Sequence, residues 1–102
     1  MKFVLKGPFG ENYYNLMRKI GYYFQGTGKE KKEVVFARPA KGYPRFHLYV
    51  KTENKNFIFN LHLDQKRPIY QGVPAHSAEY EGEVVEQEAQ RIKQLLQRNA
   101  KN

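Results

Sequence analysis

The stretch Phe46–Asp64, FHLYVKTENKNFIFNLHLD, restricts the fold more than any other part of the chain. Phe57, Phe59, Leu61 and Leu63 alternate with Ile58, Asn60, His62 and Asp64. Upstream, Phe46, Leu48 and Val50 alternate with His47, Tyr49 and Lys51. A period of two marks strands with one face buried. The polar turn Glu53-Asn54-Lys55-Asn56 joins the two runs. With Asn54-Lys55 at its tip, Val50 falls opposite Phe59, Leu48 opposite Leu61, His47 opposite His62 and Arg45 opposite Asp64. A slip of one residue would mismatch the apolar faces, so the pattern itself supports this register. The second face then gathers His47, Tyr49, Asn60, His62 and Asp64.

The remaining elements are built around this hairpin. Lys2–Lys6 reads as a short edge strand, broken by Gly7-Pro8. Asn12 is a good N-cap for a helix of about two turns carrying Tyr13, Leu16, Met17 and Ile20 at helical spacing. Arg18 and Lys19 suit its last turn, and Gly21 its stop. Tyr22–Gln25 and Glu33–Arg38 read as strands around the basic turn Gly26–Lys32. Gln65–Ala78 has no periodicity and, at 14 residues, exceeds the usual connection of about 4–6. A last helix begins between Ser77 and Glu83, with Val85, Ala89, Ile92 and Leu96 as its stripe and Leu95 alongside. The expected fold is α+β, in the order β-α-β-β-β-β-α. It is a single domain, 1–102, with an antiparallel sheet of three to four strands, a possible extra N-terminal strand, and both helices on one face. The other face, with His47 and His62, is expected to be open.

Composition narrows the function classes. The 102 residues include no cysteine, which excludes disulfides and thiolate metal sites and fits a cytoplasmic setting. No stretch approaches the ~20 apolar residues of a membrane-spanning helix. The start, MKFVLKGPFG, does not read as a signal peptide. The net charge is +8, and it is unevenly spread. Residues 1–78 hold 14 basic and 5 acidic side chains, residues 79–90 five glutamates and no basic residue. A positive body of this kind favours nucleic acid or another polyanion as partner.

Four stretches are candidates for chemistry. His62 and Asp64 project from one strand about 6.6 Å apart, with His47 across from His62. Two imidazoles and a carboxylate suit a divalent metal, with His76 as a further ligand. The same residues suit acid–base catalysis, with Asp64 orienting His62 and Lys66 or Arg67 stabilising an oxyanion. The competing explanation is a surface ion pair between Asp64 and Arg45. The second constellation is the loop QKRPIYQG with its neighbours. Lys41, Arg45, Lys66 and Arg67 would grip phosphates, while Tyr49 and Tyr70 would stack on bases. The third, Gly26-Thr27-Gly28-Lys29, lacks the spacing of a phosphate loop and is read as a hairpin turn. His76-Ser77 lacks a nucleophile elbow, so Ser77 is read as a helix cap.

The α-β-β-β-α portion of this order resembles the double-stranded-RNA-binding fold. Leu16–Gln25, LMRKIGYYFQ, resembles the first helix and strand of HicA-type toxin ribonucleases. Those toxins carry a histidine soon after that strand, and Gly26-Thr27-Gly28 has none. The RNA-binding domains open their last helix with lysines, whereas this chain reads EYEGEVVEQE. The expectation is therefore a small basic module that binds nucleic acid or another polyanion through an open sheet face and the 65–78 loop. It requires no cofactor. The alternatives are a metal-dependent or acid–base hydrolase on His47, His62 and Asp64, and a protein-interaction domain whose aromatic face is the interface.

Overall fold

The alternating stretch forms a nine-plus-nine-residue hairpin in the computed structural model, which describes residues 1–65, 78–79 and 81–98. In chain order the elements are β1 (Lys2–Leu5), α1 (Tyr13–Lys19), β2 (Tyr23–Thr27), β3 (Val34–Arg38), β4 (Arg45–Glu53), β5 (Asn56–Asp64), β6 (Ala78–Glu79) and α2 (Glu83–Gln97). Asn54 and Lys55 both take positive φ, 51° and 68°. That is the two-residue turn whose twist matches the flanking strands. The register is the expected one, including His47 opposite His62 and Arg45 opposite Asp64.

The strands form an antiparallel sheet in the order β1-β5-β4-β3-β2, with β6 also paired to β5. The sheet thus has more strands than the three to four expected. The N-terminal strand is real and pairs with Phe57–Asn60 of β5, and the chain returns at Ala78 opposite Asp64. Gly7 sits so tightly against the hairpin tip that a Cβ there would lie 2.0 Å from the Lys55 carbonyl oxygen. Its amide also donates to Asn56 Oδ1 at 3.0 Å.

Both helices cover one face. Leu16, Met17 and Ile20 meet Val85, Ala89, Ile92 and Leu96 over Phe36, Leu48, Phe59 and Leu61 in one buried cluster. Asn12 caps α1 by accepting from the Asn15 amide at 3.0 Å, and Gly21 takes φ +93° just past the helix end. Seven residues are too few for an autonomous helix, so α1 depends on packing.

Glu88 of α2 supplies a polar anchor within this layer. Its buried carboxylate accepts from the Tyr22 hydroxyl at 2.7 Å, from Arg38 Nε and Nη2 at 3.0 and 2.9 Å, and from Arg91 Nε at 2.8 Å. Arg91 Nη2 also donates to the Ile20 carbonyl at 2.8 Å, closing the end of α1. Burial opposes ionisation of Glu88, but the hydrogen bonds from Arg91, Arg38 and Tyr22 outweigh it and hold its carboxyl below the ordinary 4.5. Burial, reinforced by the Glu88 charge, pushes the Tyr22 phenol far above its usual range.

Removing one partner from a buried charged network strands the others. Glu88→Gln should therefore cost about 3 kcal/mol at pH 7, the low end for a buried pair because both guanidiniums keep some contact with water. A group whose folded pKa is lowered contributes stability above its unfolded pKa and loses it as pH falls through the folded value. The gap between wild type and Glu88→Gln should thus narrow below pH 4.5, as measured by urea unfolding at pH 7 and pH 3.

Candidate functional site

His47 and His62 lie on β4 and β5, two interior strands of the sheet, on the face away from the helices. That face was expected to be open; it is exposed at Tyr23 and Val4 but covered at the histidines. His62 is only 7% exposed, and Ala37, which pairs with His47, is fully buried. The His47 and Asp64 side chains are also largely withdrawn from solvent. Burial at this end separates the site from an ordinary strand surface, where imidazoles would be solvated.

The cross-strand pairing stacks the rings in a row. His62 lies between His47 and Tyr49, with centroids 5.3 Å from each. Asp64 follows on the same face of β5, two residues beyond His62. Its Oδ1 stands 3.4 Å from His62 Nε2, and its Oδ2 lies against His47 Nδ1. One ligand atom from each of His47, His62 and Asp64 falls within 4.8 Å of the others. This is the only such grouping among the described residues. The buried Nδ1 of His47 has no hydrogen-bond partner despite the nearby carboxylate. Burial lowers the pKa of His47 below 6.5. The Asp64 charge opposes that shift and the Arg45 charge adds to it.

The expected Arg45–Asp64 ion pair is not among those of the described residues. Register puts the two backbones opposite, yet Arg45 turns back along its own loop. Nη1 donates to the Ala40 carbonyl at 3.2 Å and Nη2 to the Tyr43 hydroxyl at 3.2 Å, with the guanidinium 4.8 Å from the Tyr43 ring. Asp64 is left to the histidines.

The expected nucleic-acid residues are only partly assembled. Lys41 is exposed, Arg45 is engaged by its own loop, and Tyr49 stacks on His62. Lys66, Arg67, Tyr70 and His76 lie outside the described residues, as does Ser77. Exposed aromatics that sequence reasoning missed stand at the β2 edge of the sheet. Tyr14, Tyr23 and Phe24 are 44%, 41% and 52% exposed. Alternation alone hinted at them. Tyr22 points into the core, so Tyr23 must point away.

No family model, curated protein or solved structure matches the chain.

In metal-free protein, Asp64→Asn should lower the His47 pKa further, because it removes the charge that opposes desolvation. Arg45→Ala should raise it. Histidine ring titrations by NMR in the presence of a chelator read both directions.

Proposed function

We propose that the protein is a divalent-metal-dependent hydrolase of an anionic substrate, with the metal held by His47, His62 and Asp64. The observation that carries this reading is the convergence of their three ligand atoms within 4.8 Å on interior strands. Two imidazoles and one carboxylate form the donor set of catalytic zinc sites that keep a fourth position for water. Donors about 2.0–2.2 Å from a tetrahedral ion stand about 3.3–3.6 Å apart. His62 Nε2 and Asp64 Oδ1 are separated by 3.4 Å. A depressed pKa favours the neutral form of His47 at pH 7, so a proton competes less for its lone pair. The bound ion would lower the pKa of its water to about 7 and so supply a nucleophile.

The anionic character of the substrate follows from charge. Three of the glutamates are spent on ion pairs, Glu11 with Lys19, Glu30 with Lys51 and Glu88 with Arg38 and Arg91. Lys29, Lys31, Lys32, Lys41 and Lys55 are in no ion pair among the described residues. The net +8 therefore reaches solvent and attracts a polyanion. Read as sequence, the chain favours binding over hydrolysis. The buried triad supports the reverse order, because simple phosphate binding has no use for two withdrawn imidazoles facing a carboxylate.

Titration with zinc or manganese, followed through the histidine ring signals, should shift His47 and His62 at one equivalent. At free ion 100-fold above Kd, stability should rise by about 2.7 kcal/mol. Asp64→Ala should abolish both effects, together with metal-dependent cleavage of bis(p-nitrophenyl) phosphate. No change at either histidine with both ions would overturn the metal site. Binding without cleavage would overturn hydrolysis and leave a metal-binding protein.

A further inference from the structure

We infer that the β2 edge of the sheet is where a single-stranded nucleic acid lies, which makes that the substrate class of the hydrolytic site. The chemistry of this inference rests on the metal-site reading; the binding surface does not.

β2 is a terminal strand, paired only with β3 along the sheet. Its register slips between Phe24 and Gly26, which bends the edge. Phe24 and Tyr23 sit on opposite faces of this strand, and Phe24 is joined by Tyr14 of α1 with ring centroids 5.6 Å apart. An edge strand with two exposed aromatics and a third beside it would normally invite another strand. The surrounding charge argues against a second copy of this chain. Arg18 lies 4.6 Å over the Tyr23 ring, and the turn that follows β2 exposes Lys29, Lys31 and Lys32. The acidic groups nearby are neutralised or hidden. Glu11 pairs with Lys19, Glu30 pairs with Lys51, and Glu33 is buried. Two copies meeting here would bring like charges together.

An unpaired polynucleotide satisfies both properties, since its bases stack on exposed rings while its phosphates meet cations. From Phe24 to Thr27 the strand advances about 10 Å, so rings and lysines lie within reach of one short oligonucleotide. A duplex has its bases already stacked and gains little from these rings.

The same edge points toward the metal site. Tyr23 pairs with Ala37, Ala37 with His47, and His47 with His62, all on one face. At about 4.8 Å between strands, Tyr23 stands about 10 Å from His47. Ala37 between them has the smallest side chain of the row. Ala37 is also fully buried, so a strand anchored on Tyr23 and Arg18 ends beside a covered stretch of this row, about 10 Å from His47.

The test is fluorescence anisotropy of a labelled 12-nucleotide oligothymidylate and a 12-base-pair duplex. Both are measured at about 50 mM salt with a chelator present, so metal plays no part. The single strand should bind, and more tightly than the duplex. Tyr23→Ala and Phe24→Ala should each weaken it between about fivefold and a hundredfold, and Phe24→Tyr should retain binding. Lys29→Ala and Lys31→Ala should each reduce the slope of log K against log salt by about 0.7. These lysine variants touch no buried group, so they test the surface even if an aromatic variant unfolds. Absence of binding, equal affinity for duplex, or affinity unmoved by all four alanine variants would overturn the inference. So would a dimer in sedimentation that Phe24→Ala dissolves. Failure of the zinc titration with oligonucleotide binding intact removes the hydrolase reading and leaves this surface standing.

Discussion

The architecture depends on one carboxylate. Glu88 receives hydrogen bonds from Tyr22, Arg38 and Arg91, which belong to the α1–β2 junction, to β3 and to α2 itself. Apolar packing alone would let a short α1 slide on the sheet, since burial is proportional to area and indifferent to direction. Directed, charge-assisted bonds are not indifferent. Arg91 extends the same anchor to the Ile20 carbonyl, where α1 would otherwise fray. A buried ion pair gives little net stability against a greasy replacement, so its main effect here is positional. It sets where α1 ends and therefore where β2 begins, and β2 is the strand that exposes Tyr23 and Phe24.

The hairpin links core and site by the same rule. Because side chains alternate, the register that stacks Leu48 on Leu61 also sets His47 beside His62. A slip would expose the core residues and separate the imidazoles in one step. Selection of the fold and selection of the site are thus one event. The two-residue turn at Asn54-Lys55 helps enforce it, since a longer loop would tolerate other registers.

What was legible in the sequence follows from this. Period-two alternation, the Asn12 cap and the Gly21 stop are local signals, and each corresponds to the structure. Strand count and sheet order depend on contacts distant in sequence, so the pairing of β1 and β6 with β5 could not be read locally. Register gives backbone neighbours but not rotamers. Arg45 faces Asp64 and still turns to Ala40 and Tyr43, because a planar guanidinium finds a carbonyl and an aromatic ring within its own loop. Glu88 was hidden for a different reason. It sits in a run of glutamates that reads as a solvated helix face, yet it falls between Val85 and Ala89 on the inner side. Its partners are 50 and 66 residues away in the chain.

The charge pattern reconciles a cation site with a basic protein. Fields from exposed lysines decay over about 8–10 Å in physiological salt. The triad is partly withdrawn from solvent, so affinity for the proposed metal would be decided by its own donors, which are two imidazoles and one carboxylate. A divalent ion there leaves the site with a net positive charge. That charge adds to the exposed lysines instead of opposing them. An anion approaching the β2–β3 turn would meet the exposed Lys29, Lys31 and Lys32. The acidic start of α2, with Glu83 and Glu86 in its first turn, belongs to the helix layer on the other face of the sheet. Arg18 and Lys19 of α1 and Arg91 and Lys93 of α2 belong to the same layer, so the glutamates at the start of α2 are set among cations there.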